Sequence, residues 1–573
     1  MGVQSRRDFF KHAALLSGAA GVAGALPASI QRAFAIDPEP GSTFLDAEHV
    51  VILMQENRSF DHAYGTLRGV RGFNDPRAMT LANGNPVWAQ TNDQGETYAP
   101  FRLNIKDTNA TWMGSLPHSW TDQVDARNGG KCDRWLQAKA SGHAEYAAMP
   151  LTMGYYDRED IPFYYELADA FTICDQHFCS SLTGTTPNRL YLWSGTVRPE
   201  QRADSHPKLF NSEANYGAEV SWTTFPERLE DAGVSWRIYQ NELSVGSGLD
   251  GDADAWLGNF TDNSIEFFAQ YQVRFLESRR KWVRERAGTL PKEIAALEAK
   301  LKNAGAVELV RERRRLERMK SYLAEIEREL PVYTQENWDK LTERQKNLHQ
   351  KAFTTNTGDP DYHSLVELKY TDGDVERIVS VPKGDVLHQF RQDVNNGKLP
   401  TVSWLVAPEA FSDHPGSAWY GAWYIAEALN ILTENPEVWK KTVFLLTYDE
   451  NDGYFDHVPP FTAPNPKKPE TGRVSADIDA SVEYVELEQE LKHKAPGDSR
   501  DSSIGLGYRV PLVIASPWSR GGCVCSQVFD HTSPLQFLET LLKHKTGKAI
   551  KEENMPPHQN LWVNSGSGRR PRL

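Results

Sequence analysis

Four short, nearly continuous apolar runs stand out along the chain: Val50-Val51-Ile52-Leu53-Met54, Val402-Ser403-Trp404-Leu405-Val406, Val443-Phe444-Leu445-Leu446 and Val510-Pro511-Leu512-Val513-Ile514. Runs this short and rich in β-branched residues predict strands buried on both faces. Amphipathic stretches such as 423–432 lie between them, so the alternation predicts an α/β fold with a largely parallel central sheet covered by helices. Three of the runs lead straight into polar chemistry: Glu56-Asn57, Asp413-His414 and Asp449-Glu450. In open α/β sheets ligands collect beyond the carboxyl ends of strands, so these three loops are expected to share one site.

From about 263 to 353 the pattern changes: Lys, Arg, Glu and Leu dominate, and glycine falls to Gly288 and Gly305. Beyond Leu316, the residues Met319, Leu323, Ile326 and Leu330 recur at steps of three and four, and Ile294, Leu297 and Leu301 offer a shorter seam before 303–305. That spacing predicts an antiparallel helical hairpin inserted into the sheet domain. Its charges read as a solvated face rather than a binding patch.

The N-terminus reads as an export address. Ser5-Arg6-Arg7-Asp8-Phe9-Phe10-Lys11 precedes a Gly/Ala-rich apolar stretch over 13–26, and Ala33-Phe34-Ala35 supplies an A-x-A cleavage tripeptide. This predicts a twin-arginine signal peptide over 1–35, recognised by the twin-arginine export machinery, and a periplasmic or secreted product. Removing it moves the net charge from −14 to −17. So acidic a chain is not a nucleic-acid binder, because phosphate backbones are held by clustered Lys and Arg. The five cysteines, Cys132, Cys174, Cys179, Cys523 and Cys525, are too sparse for a disulfide framework and lack zinc-finger spacing, so they are expected to be buried thiols. The catalytic domain is expected over 36–550. The remainder, 551–573, reads as a poorly ordered tail that is basic and Gly/Ser-rich from 564 onward.

Paired hard oxygen donors at a strand end suit a divalent cation, and Glu56-Asn57 is such a pair. Asp449-Glu450 places two like charges side by side after another buried strand, an arrangement that repels itself unless a cation intervenes. Thr183-Gly184-Thr185-Thr186-Pro187-Asn188-Arg189 offers a hydroxyl on a loop before a helix-like stretch. Threonine becomes a competent nucleophile only with a metal or base beside it. His118, in Leu116-Pro117-His118-Ser119-Trp120, and His414, in Ser412-Asp413-His414-Pro415, sit in Pro-flanked loops where an imidazole can meet a phosphoryl oxygen or protonate a leaving group.

Taken together, Q-E-N-R-S-F-D-H, L-P-H-S-W followed by N-G-G-K, T-x-P-N-R, F-S-D-H-P and T-Y-D-E-N-D-G-Y-F-D-H-V resemble the bacterial phosphocholine-specific phospholipase C family, in family order across residues 46–550. The resemblance implies an alkaline-phosphatase-like fold and kinship with a group of acid phosphatases. It implies that Glu56, Asn57, Asp449 and Glu450 hold one divalent metal ion, with calcium and zinc both open. Thr185 would be the nucleophile of a covalent phospho-threonine mechanism, and His118 and His414 would stabilise the equatorial oxygens or protonate the leaving oxygen. Glu450 stands where some phosphatase relatives carry Asp. Asn188, His457 and His531 are supporting candidates behind the ligands.

The implied reaction is hydrolysis of phosphatidylcholine or another choline phosphodiester to phosphocholine and an alcohol such as diacylglycerol, with peripheral membrane contact. A phosphomonoesterase on the same scaffold is the nearest alternative, and a non-catalytic choline-phosphate binder is a third. Choline would require an aromatic cage. Trp120, Trp135, Tyr155, Tyr156, Trp419 and Tyr420 are its candidates. Family members continue into small C-terminal β domains past the point at which this sequence stops, and the absent part is expected to serve the lipid surface.

Overall fold

The computed structural model describes residues 27–550 apart from 109, 111, 112, 303–305, 373, 416–419 and 477. The leader 1–26, the turn at 303–305, Trp419 and the tail 551–573 therefore lie outside the described residues. The central sheet has seven strands: β1 His49–Gln55, β2 Thr172–Cys174, β3 Trp236–Tyr239, β4 Val402–Leu405, β5 Thr442–Tyr448, β6 Leu512–Ala515 and β7 Val524–Cys525. Their spatial order is β7-β2-β6-β5-β1-β4-β3. The neighbours β5, β1, β4 and β3 are mutually parallel, as are β7 and β2, whereas β6 runs antiparallel to both β5 and β2. The apolar run beginning at Val510 thus supplies the reversed strand of an otherwise parallel sheet.

The pleat divides the core in two. Val50, Ile52 and Met54 of β1 face one hydrophobic cluster together with Val443 and Leu445 of β5, while Val51 and Leu53 face the other together with Phe444 and Leu446. Alternation of side chains across a strand produces this split, and it explains why the sequence runs are apolar throughout rather than every second residue. Helix α1, Thr185–Ser194, covers the first face through Leu190 to Trp193. The flanks of the expected insertion belong to this face as well: Ile265, Phe267, Phe268 and Tyr271 on one side and Leu348, Ala352 and Phe353 on the other are buried in it.

Only α2, Glu277–Leu301, and α3, Ala306–Glu329, form the helical pair. Val283, Leu290, Ile294 and Leu297 meet Leu316 and Ile326, with Leu301, Met319, Leu323 and Leu330 packed alongside, so the seam reads as the heptad spacing predicts. Arg279 closes the base, donating from Nη2 to Glu329 Oε1 at 2.9 Å and from Nε to Oε2 at 3.1 Å.

Helix α4, Tyr420–Glu434, covers the second face. A helix over Ala28–Ala35 packs on α4 with Ile30 and Ala33 fully buried, and Trp439 Nε1 donates to the Ala33 carbonyl at 2.8 Å. A cut after Ala35 would release this helix and leave the Trp439 indole without that acceptor. Among the described residues, no helix is long and apolar enough to cross a membrane.

Candidate active site and metal centre

Because β4, β1 and β5 are parallel neighbours, their carboxyl ends lie along one edge of the sheet, and backbone bonds sew those ends together. Glu56 N donates to Ser412 O at 2.7 Å, Asp449 N donates to Gln55 O at 3.1 Å, and Gln55 Nε2 reaches Phe411 O at 2.8 Å. Each of the three loops carries a non-glycine residue with positive φ: Asn57 at 54°, Asp413 at 69° and Asp452 at 50°. Asn and Asp tolerate the left-handed region best, and strained backbone of this kind collects where function demands a fixed geometry.

Beyond the strand ends, acids crowd around one guanidinium. Arg189 Nη2 lies 3.0 Å from Glu56 Oε1 and 3.1 Å from Asp262 Oδ2, and its Nε donates to Asp449 Oδ2 at 3.1 Å. Asp449 Oδ1 also accepts from Asn57 N at 3.1 Å and Glu450 N at 2.7 Å. Burial, reinforced by the neighbouring carboxylates, pushes Asp449 up to about 8, and burial raises Asp262 to about 7. Glu56 and Glu450 are raised well above the carboxylate range for the same reason. Four buried oxygens here, Glu56 Oε2, Asn57 Oδ1, Asp262 Oδ1 and Glu450 Oε1, find no hydrogen-bond partner. Buried polar atoms are almost always satisfied, so orphaned hard oxygen donors among mutually repelling acids suit a divalent cation in kind, but among the described residues Glu56, Asp449 and Glu450 do not close to one-ion distance, and Glu450 groups instead with His118 and Asp452.

Thr185 opens α1, and Arg189 lies four residues further along the same helix. Residues four apart share a helix face, so the ion pairs of Arg189 draw the N-terminus of α1, with Thr185, toward the acid cluster. The preceding loop is held by Asn188. Its Oδ1 accepts from Ser181 N at 3.0 Å, and its Nδ2 donates to Thr183 O at 3.1 Å and Gly184 O at 3.2 Å. Asn188 therefore braces the loop by folding back on it. Thr186 N is capped by Asn211 Oδ1 at 2.9 Å.

His118 stands across from this loop. Its Nε2 is 3.7 Å from Glu450 Oε1, its Nδ1 is 3.5 Å from Asp452 Oδ1, and a Cβ placed on Gly184 would lie 3.4 Å from its Cδ2. His118, Glu450 and Asp452 are close enough to serve one ion. Asp452 also ties the loops together, accepting from Asn57 Nδ2 at 3.2 Å and Leu116 N at 3.1 Å. Lys139 Nζ donates to Pro117 O at 2.9 Å and steadies the histidine loop from behind. His414 is pushed down to about 4 by burial, with His118 and Arg58 adding to the shift, so its imidazole is neutral near pH 7. The preceding Asp413 carboxylate is occupied by the Tyr164 and Tyr448 hydroxyls and braces the loop.

The supporting histidines separate. His531 Nε2 meets the Tyr448 carbonyl at 3.0 Å, directly before Asp449. His457 belongs to a different buried cluster: its Nδ1 is 2.6 Å from Asp61 Oδ2, its Nε2 is 3.5 Å from Asp75 Oδ2, and Arg509 pairs with Asp61 and Asp456. Asp61, Asp456 and His457 could group around an ion, but the guanidinium already supplies their positive charge.

Of the proposed aromatic cage, Trp120 and Trp135 are fully buried in the main core, so neither presents a ring face to a ligand. Tyr156 is also buried, its hydroxyl donating to Ala110 O at 2.7 Å, which leaves Tyr155 and Tyr420 partly exposed among the described candidates. Sequence reasoning passed over Asp262 and Asp452. Asp262 follows no apolar run and is set in place by consecutive left-handed residues, Phe260 at 55° and Thr261 at 65°, which no spacing rule reveals.

A largely parallel α/β sheet with acids, a helix-borne hydroxyl and histidines gathered at one edge is compatible with the alkaline-phosphatase-like fold. The chain belongs to the Phosphoesterase family, whose sequence profile matches residues 47–305 and 315–543. It is 38% identical over 566 residues to the non-hemolytic phospholipase C of Burkholderia pseudomallei, covering 97% of this chain and 63% of that protein. It is 36% identical to the non-hemolytic phospholipase C of Pseudomonas aeruginosa, covering 94% and 60%, and 33% identical to phospholipase C A of Mycobacterium tuberculosis, covering 93% and 80%. The chain thus spans about 60% of the length of the first two of these relatives.

Proposed function

We propose that this chain is an exported, metal-dependent phosphodiesterase of the phospholipase C kind, cleaving a choline phosphodiester such as phosphatidylcholine to phosphocholine and an alcohol. The observation that carries this reading is the orphaned buried oxygens on Glu56, Asn57, Asp262 and Glu450, in an acid cluster tied through Arg189 to the helix that Thr185 opens. The relatives named phospholipase C support the substrate class. Glu56, Asn57, Asp449 and Glu450 would hold the divalent metal, which when bound supplies positive charge against the phosphoryl oxygens.

Thr185 Oγ1 attacks phosphorus, the bond to the diacylglycerol oxygen breaks, and phosphocholine is carried on the threonine until water displaces it. His118, between two carboxylates, is placed to carry the proton to the departing oxygen, while neutral His414 offers a hydrogen bond to an equatorial oxygen. Matched choline-phosphodiester and phosphomonoester substrates, assayed with and without chelator, test the reading. Diester turnover abolished by chelator and restored by added metal is expected. A preference for the monoester would replace the reading with a phosphatase, and turnover of neither would leave a binding protein.

A further inference from the structure

The edge strand β7 is only two residues long, and its register sets Cys525 opposite Cys174, the last residue of β2. Ladder bonds fix that register: Ile173 N donates to Cys523 O at 2.9 Å and Asp175 N to Cys525 O at 3.1 Å. The turn before it is set by backbone, since Gly521 and Gly522 have φ of 108° and 64° and a Cβ on Gly522 would lie 2.7 Å from Asp169 O. Register partners in a parallel pair project to the same face, with strands about 4.8 Å apart. That spacing falls within the Cα window of about 4.4–6.8 Å required by a disulfide. Both residues are free thiols here, Cys174 buried and Cys525 partly exposed.

We propose that Cys174 and Cys525 are a prealigned redox pair that closes to a disulfide when the folded chain meets a disulfide oxidant, stapling β7 to β2 at their carboxyl ends. The proposal rests on the export reading only for where the oxidant would be met. A chain that folds before export needs its thiols aligned in the reduced fold, as these are. Beside the Cys174 thiol, Cys525 is brought down to about 6, whereas its neighbour and burial raise Cys174.

The thiolate of Cys525 attacks one sulfur of the oxidant RSSR, forming a mixed disulfide and releasing RS⁻. Cys174 then gives up its proton and attacks Cys525 Sγ, forming the intramolecular bond and expelling the second RS⁻. The two cysteines lose two electrons and two protons, and one RSSR becomes two RSH. Both strands lead to the site. From β2 the chain passes His177 toward the Thr185 loop, and from β7 it passes Phe529-Asp530, paired with His177-Phe178, to His531. Asp530 Oδ2 accepts from Ser180 Oγ at 3.0 Å, which ties the two segments together.

The test takes the purified, reduced full chain, exposes it under native conditions to oxidised glutathione, blocks residual thiols by alkylation, and maps peptides without reductant. A Cys174–Cys525 cross-link two hydrogens lighter is expected in most molecules, unchanged in Cys523→Ser, with Tm rising by a few degrees. Cys525→Ser should fold, show no such link and keep a Tm indifferent to glutathione. Alkylated Cys174 and Cys525 after oxidation, a persistent glutathione adduct on Cys525, a bond to Cys523 instead, or an unmoved wild-type Tm would each overturn the proposal. No substrate enters this experiment, so its failure leaves the phosphodiesterase reading standing and the reverse also holds.

Discussion

Arg189 Nη2 donates to Glu56 Oε1 at 3.0 Å, which fastens the helix that begins at Thr185 to the strand end that leads into the acid cluster. The contact lies between two fully buried side chains, and the same guanidinium also faces Asp449 and Asp262. One resident cation therefore balances part of a charge that three carboxylates create.

Replacing Arg189 by Met removes that balance and strands the acids. Breaking a buried pair from one side costs about 3–5 kcal/mol. The variant should melt well below the parent in chelator and recover part of the loss when a divalent ion is added. Arg189→Lys should fall between, because an ammonium keeps the charge but not the fork. Equal melting of Arg189→Met and parent in chelator would show that the cluster does not depend on this residue.

Glu56→Ala or Asp449→Ala should lower kcat by at least about 100-fold, the scale of removing a principal electrostatic element. Metal content measured by mass spectrometry of the intact holoenzyme should drop with it. Asp262→Asn keeps the shape and loses a charge, and metal affinity should weaken by about tenfold, as for residues that orient ligands. Full metal occupancy with full activity in Glu56→Ala would remove Glu56 from the centre.

How much of this could be read from the chain differs by element. The runs at Val50, Val402 and Val443 announced β1, β4 and β5 because buried parallel strands are apolar on both faces, and their polar sequels announced the shared edge. The seam from Leu316 to Leu330 announced α3 because a heptad stripe is periodic. The reversal of β6 was hidden, since an apolar run looks the same in either direction. Asp262 was hidden because loop strain, not periodicity, brings it in. The aromatic cage misled at Trp120 and Trp135, because composition counts rings without saying which face the core. The A-x-A at Ala33 likewise gave no hint that its helix would pack under Trp439.

His349 offers a pH test remote from the acid cluster. It is 6% exposed, bonded through Nδ1 to Tyr271 O at 3.0 Å, and burial pushes it down to about 4. The unfolded chain takes up a proton near pH 6.5 that the folded chain refuses until about pH 4. Its stability contribution is thus whole above pH 6.5 and is lost as pH falls toward 4, by about 3 kcal/mol in all. Urea denaturation of parent and His349→Gln at pH 7.5 and 4.5 isolates this residue, because the other buried histidines cancel in the difference. The parent should lose about 2–3 kcal/mol more than the variant between the two pH values, and parallel losses would show that His349 is not held neutral.

Thr185 carries the covalent step in the proposed reaction, and its setting makes the assignment divisible from its neighbour. It is the first residue of α1, on the face that Arg189 turns toward the acids, whereas Thr186 is buried with its amide held by Asn211. A hydroxyl on Thr185 is required for the phosphoryl group to rest on the chain, so Thr185→Ser should keep measurable turnover and Thr185→Ala should lose the covalent path while melting normally. Thr186→Ala should keep the path, because the hydrogen bond to Asn211 Oδ1 is donated by the Thr186 backbone N–H and does not involve its side chain. Rapid quench with a phosphorus-labelled diester, followed by peptide mapping, places the label directly. Label on Thr186, or an active Thr185→Ala enzyme, would move the nucleophile elsewhere and with it the reason for the helix to begin where it does.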